Sequence, residues 1–573
     1  MNPRSITWSS KKSFVRGLSP ETTHVLTLLG VAIVAVSPIL FYGFPSALDL
    51  SNHFRFALPF YDALRGGHLY PGWLAESNNG FGDASFRFYP PALYYLLAIA
   101  RTVTGNWYAA TAATFVFLSM AGALGVYLWA RAFTSSNTAM WAGIFFAVAP
   151  YHLNQLFQAL LLAEFAAVAV LPFAFLFAER VCRQRRARDI AGLAGAYALL
   201  ILTHLPLAVV GSLTLALYAV LRIDKKNLWR TLAALAFSVG LGLAASACYW
   251  TTMVAELSWI RADNVNPDPG VDYRDNFVLS TLSPTHVNIW WMNILLFFMV
   301  AMFWPIIILV TRAARSRTAD AGVQKPVVGE RTTLALLASL TIFMATPLSR
   351  PLWNLVRPLQ ETQFPWRWFA ITSLVCPLLL AFSIPFWARL MNTRKRPLVI
   401  LAGGTIAISL AFSVGHVIRE ARWLTPAQFE QTLNGIRGSR SVYQWLPVWT
   451  GENLPEMNAP AESTDRTINV TNWTAEKRTF QVSAGDAREA RIKTFFYPLW
   501  TATAGGHSLA THPDQNGVLM VSLPREATDV TVEFQEPSRV HYAAELTFIT
   551  WMFIGGLFFK TRRRPWKASP ASN

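Results

Sequence analysis

The feature that most constrains this chain is the alternation of long apolar runs with short basic clusters. Seven clusters hold 28 of the 49 Lys and Arg residues, with six acids in or beside them: Arg4 to Arg16, Arg131, Arg180 to Arg188, Arg222 to Arg230, Arg312 to Arg331, Arg389 to Arg396 and Lys560 to Lys567. They net +22, whereas the rest of the chain nets −5. A soluble domain has no reason to sort its charges by alternate turns. A chain threaded through a membrane does, because basic loops stay on the cytoplasmic side. Composition agrees: 53% of residues are hydrophobic and 14% charged, against about 25% charged in a soluble domain. The sorting accounts for the net charge of +17, so it calls for no nucleic-acid partner. Cys182, Cys248 and Cys376 each lie in or beside an apolar segment and suggest neither a disulfide framework nor a clustered zinc site.

About 20 apolar residues cross a bilayer. On that measure spans fall near 25–43, 109–130, 138–152, 160–178, 190–205, 206–222, 231–254, 287–311, 332–347, 367–391, 397–416 and 543–560. This predicts a polytopic α-helical membrane protein of about twelve transmembrane helices, with both termini cytoplasmic. The first apolar segment is read as a retained span, because no small-residue cleavage site follows it. The apolar stretch Pro91 to Ala100 is too short to cross comfortably. Counting it would export the Arg180 to Arg188 cluster, so it is expected to be a juxtamembrane or re-entrant helix.

The organisation is then a cytoplasmic N-terminus (1–24), a transmembrane domain (25–416) with a first outer loop (44–108), an extracytoplasmic β-rich domain (417–541), a last transmembrane helix (542–560) and a basic cytoplasmic tail (561–573). Period-two alternation at Thr467 to Val470, Arg478 to Val482, Arg491 to Phe495, Gly517 to Val521 and Val530 to Phe534 predicts an antiparallel β-sandwich.

No Gly-rich phosphate loop, His-Glu-x-x-His, Cys-x-x-Cys or Gly-x-Ser-x-Gly motif occurs. Polar residues at membrane level become the functional candidates. The densest group follows the first span: Asp49 and His53, then Gly67, Tyr70, Pro71 and Trp73, then Gly80 and Gly82, then Arg87, Tyr89, Pro90 and Pro91. A helix beginning at Asp49 puts Asp49 and His53 on one face. Two readings of Asp49 stand, and they can coexist: a general base at the mouth of the bundle, or the N-cap of the helix with His53 a solvated neighbour.

This first-loop pattern resembles that of bacterial membrane proteins of the GT-C glycosyltransferase superfamily, and more narrowly the membrane family catalogued as pyruvoyl-tetrahydropterin-synthase-related. Nothing here resembles the soluble pterin enzyme's zinc site. The resemblance continues at Ala163-Glu164 before Pro172, at Thr203-His204-Leu205-Pro206, at Gln363 to Arg367 and at Phe496 to Trp500. It implies a GT-C-like fold and a transferase moving a sugar from a polyprenyl-phosphate donor to a glycan, lipid or protein acceptor on the outer face. Asp49 matches the carboxylate that serves as base. The chain departs from the pattern at Gln158, where an Arg is expected, and in lacking an Asp-x-Asp motif after the first span. No cofactor is implied; a divalent metal shared by Asp49 and His53 has no motif behind it.

Other positions carry paired readings. Glu164 orients an acceptor or forms an ion pair with Arg87. His204 contacts donor phosphate or is a capped, packed histidine. Arg367, four residues after Gln363, grips phosphate with its planar fork or anchors at the interface with Trp366 and Trp368. Arg87 and Tyr89 line the sugar site or pack at the interface. The rival functions are a transporter or flippase of lipid-linked glycans and a non-catalytic envelope assembly protein.

Overall fold

The computed structural model describes residues 19–46, 49–261, 272–278, 328–437, 445–451 and 454–560. Local chemistry sets the helix starts. Ser19 accepts from the Thr22 amide and precedes Pro20, opening α1 (Pro20–Val36). The chain continues through α2 (Pro38–Tyr42), strand β1 (Phe44–Pro45), α3 (Leu50–Arg65) and α4 (Ala92–Thr104), which ends where Gly105 takes a left-handed φ of +79°. Asn106 then caps the Ala109 amide and starts α5 (Trp107–Ala130). Helices α6 (Ser136–Ala147), α7 (Pro150–Phe157), α8 (Leu162–Gln184), α9 (Ala187–Thr203), α10 (Leu205–Arg222), α11 (Leu228–Ala245) and α12 (Ala247–Glu256) follow. Beyond residue 328 come α13 (Glu330–Ala345), α14 (Arg350–Leu355), α15 (Arg357–Gln360), α16 (Phe369–Leu390), α17 (Arg396–Arg419), strand β2 (Trp423–Leu424) and α18 (Pro426–Arg437). The last described helix is α19 (Ser538–Lys560).

Among the described residues, the basic turns at Arg131, Arg180 to Arg188 and Arg222 to Arg230 meet at one end of the bundle. Glu21 pairs with Arg131, Arg183 donates to the Ala132 carbonyl, Arg185 to Thr231, and Arg222 binds Glu179. Small residues let the helices approach: a Cβ at Gly122 of α5 would lie 2.5 Å from Phe146 of α6, and one at Gly125 3.0 Å from Pro172 of α8.

Eight described helices are long and apolar enough to cross a membrane, or nine if α13 and the helical segment after it, bent by 86°, count as one. The expected total of twelve is not reached among the described residues. The spans read at 138–152 and 190–205 are carried by helices of 12 and 17 residues. The first is short because α6 stops before Pro150, where α7 starts in its place. The span read at 287–311 lies outside the described residues. The Pro91 to Ala100 stretch is α4, 13 residues long, packed against α3 and α5.

Within 417–541 the first part is helical. α17 continues to Arg419, and α18 packs on α3, with Arg437 bonded to Asp62 at 2.8 Å. Strands follow: β3 (Ala461–Glu462), β4 (Ile468–Trp473), β5 (Lys477–Val482), β6 (Glu489–Phe495), β7 (Trp500–Ala504), β8 (His507–Leu509), β9 (Thr511–Pro513), β10 (Val518–Ser522) and β11 (Thr528–Phe534). They form one sheet ordered β3-β6-β10-β9 and another ordered β4-β5-β11-β7-β8, every pairing antiparallel. Both sheets contribute to one apolar core, which Trp73, Phe81 and Phe88 of the 66–91 loop also enter.

That loop is fixed to the bundle and the sheets by a buried ionic cluster. Arg87, 2% exposed, donates to Glu256 of α12 (2.5 and 2.7 Å) and to Glu536 after β11 (2.6 and 3.0 Å). Tyr497 and Arg539 also donate to Glu256, each at 2.7 Å. The alternative pairing of Arg87 with Glu164 is therefore corrected: two other carboxylates take the Arg87 fork.

Candidate active site

At the end of the bundle away from the basic turns, α3, α4, α7, α8, α10 and the segment before α16 bring polar side chains together. Asp49 holds the N-cap position of α3, but its side chain makes no capping bond. Its Oδ1 accepts from Asn52 Nδ2 at 3.1 Å, and its amide reaches the Ala159 carbonyl, tying α3 to the turn before α8. Among the described residues no Lys, Arg or His pairs with this half-buried carboxylate.

His53 lies one turn further along the same helix. It is 3% exposed, not solvated as the capping reading expects, because its face of α3 packs against α4. Its Nδ1 is 3.1 Å from the Tyr94 hydroxyl, and Nε2 is buried with no hydrogen-bond partner among the described residues. Burial lowers its pKa against the opposing field of Asp49, so the imidazole is neutral at pH 7. The Tyr89 phenol is pushed above its ordinary pKa by burial first and Asp49 second, with Arg367 opposing; Asp49 and Arg367 thus act on one hydroxyl.

Glu164, 1% exposed, is the hub of the second half. It accepts from Arg367 Nε (3.0 Å), the Tyr151 hydroxyl (2.5 Å) and Gln155 Nε2 (3.0 Å). Arg367 Nη1 donates to the Thr362 carbonyl (2.5 Å) and reaches Gln363 Oε1 at 3.5 Å. The guanidinium lies 4.7 Å from the Phe364 ring and 5.9 Å from that of Trp366. Among the described residues Nη2 has no hydrogen-bond partner, so one edge of the fork is unspent. Gln363 holds a left-handed φ of +63°, and its carbonyl-side turn delivers Arg367 to the end of α16. His204 caps α10: Nδ1 accepts the Leu207 amide at 3.2 Å, which leaves the ring hydrogen on Nε2. The field of Arg367 reaches it.

Asp49, His53, Tyr89, Glu164, His204, Gln363 and Arg367 thus gather in one region, and Arg87 does not join them. Sequence reasoning missed Tyr94, Tyr151 and Gln155. The signal for the last two was legible, since Tyr151, His152, Asn154 and Gln155 interrupt an apolar stretch with four polar residues in five positions. Among the described residues no group of three or more His, Cys, Asp or Glu is placed to hold a metal ion. A metal on Asp49 and His53 would have only two protein ligands.

Residues 86–417 match the model of a family described as 6-pyruvoyl-tetrahydropterin synthase related domain, membrane protein. No curated protein matches the sequence significantly. Solved structures to which the chain is similar include arabinofuranosyltransferase AftD from Mycobacteria, at 16% identity and TM-score 0.42, over 70% of this chain and 26% of that one. ArnT from Cupriavidus metallidurans bound to undecaprenyl phosphate is similar at 14% identity and TM-score 0.41, over 73% of this chain and 78% of that one. The apo oligosaccharyltransferase of Archaeoglobus fulgidus is similar at 12% identity and TM-score 0.40, over 70% and 56%. The chain spans about a quarter of the length of AftD.

Proposed function

The chain belongs to this 6-pyruvoyl-tetrahydropterin synthase related family of membrane proteins, and from that premise we propose that it is a GT-C-type glycosyltransferase using a polyprenyl-phosphate sugar donor. The observation that carries the reading is a half-buried carboxylate, Asp49, that has no cationic partner among the described residues and shares a site with a buried guanidinium, Arg367, whose Nη2 has no hydrogen-bond partner among them. A base needs the first arrangement. A lipid phosphate needs the second.

In this reading the donor's prenyl chain lies among membrane lipids and helices, with its phosphate at Arg367. Glu164 fixes the guanidinium through Nε and is itself held by Tyr151 and Gln155. The acceptor hydroxyl attacks the anomeric carbon from the side opposite the phosphate. A new C–O bond forms, Asp49 takes the hydroxyl proton, and the old C–O bond breaks with its electron pair leaving on the polyprenyl phosphate. A single displacement inverts the anomeric centre. Phosphate is a good leaving group, so positioning and charge stabilisation supply much of the rate.

The sorted charges support placing the basic turns and both termini in the cytoplasm and the Asp49 site outside. The short helices α6 and α9 would add two crossings to those long enough by themselves. The two facing sheets, read as a sandwich, would cover the site. A flippase of lipid-linked glycans is the competing reading. Mass spectrometry of surface glycans and lipid-linked sugars from cells with and without the protein separates the two. Loss of a single sugar residue supports transfer; a complete lipid-linked glycan trapped inside would sink it.

A further inference from the structure

A second site lies in the β-rich domain. Arg478 is on β5, whose residues Arg478, Phe480 and Val482 point between the two sheets. It is 0% exposed, and Nε, Nη1 and Nη2 all lack a hydrogen-bond partner among the described residues. Its Cζ sits 4.6 Å from the ring centroid of Trp473 and 4.5 Å from that of Trp500. Indole faces attract the charge but do not accept its five in-plane hydrogens. Trp500 Nε1, on the ring against it, is also a buried donor without a hydrogen-bond partner among the described residues, as is Nε1 of Trp73, whose ring packs edge-on against Trp500 at 5.7 Å.

Burial pushes the guanidinium pKa down to about 9, with Glu76 of the 66–91 loop opposing, so the group keeps its charge at neutral pH. A buried charge is ordinarily paired and hydrogen-bonded. Arg466 in the same domain obeys that rule: at 5% exposure it donates to the carbonyls of Ser483, Ala487, Pro524 and Glu526. Arg478 is a cluster of donors waiting for an anionic acceptor.

We propose that Arg478, Trp473 and Trp500 form a subsite for an acidic sugar, whose carboxylate or phosphate ester takes the guanidinium edge while the ring lies against indole. Trp473 supplies the way in. It is half-buried, ends β4 at the edge of the five-stranded sheet, and stands at the tip of the β4–β5 hairpin, where rotating it breaks no interior strand pairing. Glu476 at the same tip is 3.3 Å from His68, so the subsite opens beside the loop that follows α3, the helix headed by Asp49. That the bound sugar is part of the acceptor rests on the transferase reading; that an acidic sugar binds does not.

The test is calorimetric titration of the purified full-length protein, without donor, with glucuronate, glucose 6-phosphate and glucose. At least one acidic sugar binds the native protein about tenfold more tightly than glucose, the margin of one charge-assisted bond. Glucuronate alone assigns a uronic acid; glucose 6-phosphate, alone or with it, assigns a phosphate ester. Arg478→Met abolishes the preference while the melting temperature holds or rises, since a neutral side chain replaces a buried charge. Trp473→Ala weakens binding through lost stacking and covers the case in which Arg478→Met does not fold. No preference for an acidic sugar, or unchanged binding in either folded variant, overturns the proposal and leaves Arg478 a core residue. Because no transfer is measured, that failure leaves the Asp49 chemistry standing.

Discussion

Removing either member of the Glu164–Arg367 pair strands the other in a site where both are almost fully buried. Glu164→Gln preserves volume, and the amide oxygen still accepts from Tyr151 and Gln155. The new amide nitrogen, however, faces Arg367 Nε, donor against donor, and the guanidinium loses its counter-ion. Breaking a buried pair in this way costs about 3 to 5 kcal/mol. Arg367→Gln should cost less, because the stranded Glu164 can take up a proton and keeps two donors. In Glu164→Gln/Arg367→Gln both charges are gone and two amides can bond, so the double variant should be more stable than the summed single losses by about 1 to 3 kcal/mol. The assay is reversible unfolding in mixed micelles for the four proteins of the cycle. Additivity within about 0.5 kcal/mol would refute the reasoning, since two residues 3.0 Å apart would then be energetically independent.

Arg367→Lys keeps the charge but loses the planar fork, so apparent donor affinity should fall in a transfer titration while the fold is spared; unchanged affinity would leave Arg367 an interfacial anchor. His53 has a depressed folded-state pKa from burial; its contribution to stability is complete above the unfolded value near 6.5 and is lost as pH falls below it. Melting curves between pH 8 and pH 5 should show that acid-side loss in the native protein and a smaller one in His53→Asn. Cysteines placed at Arg186 and Ser316 should be shielded from an impermeant thiol reagent in intact cells, and one at Ser463 labelled; labelling at Arg186 would overturn the proposed sidedness.

The parts of the fold legible in the sequence are those where one periodicity dominates. Strands β4, β5, β6 and β11 show as period-two runs because apolar and polar residues alternate in each, whereas β10 stands out as a continuous apolar run, Val-Leu-Met-Val, after the Gly517 turn. β7 escapes because its Trp-Thr-Ala-Thr-Ala run offers small inward side chains after Trp500, and β3, β8 and β9 have only two or three residues each. The stretch 138–152 reads as one span by hydropathy, yet Pro150 divides it, and Tyr151 and Gln155 of α7 turn toward Glu164. Asp49 and His53 could be set on one helical face by their spacing alone. Their neighbours could not: Glu164 and Arg367 are 203 positions apart, and Arg87 meets Glu256 and Glu536 at separations of 169 and 449. Which of several plausible acids an arginine takes is decided by how the helices pack, and no local pattern encodes that choice.

The central claim is that Asp49 accepts the acceptor's proton, and its most direct test is sugar transfer from a polyprenyl-phosphate donor by purified Asp49→Asn protein, with monodispersity and melting temperature measured in parallel. The substitution keeps the size and the oxygen that receives Asn52, so stability should barely change. Turnover should fall by roughly 10²- to 10⁴-fold, the range of a positioned general base. Near-normal transfer by a well-folded Asp49→Asn protein would contradict the account.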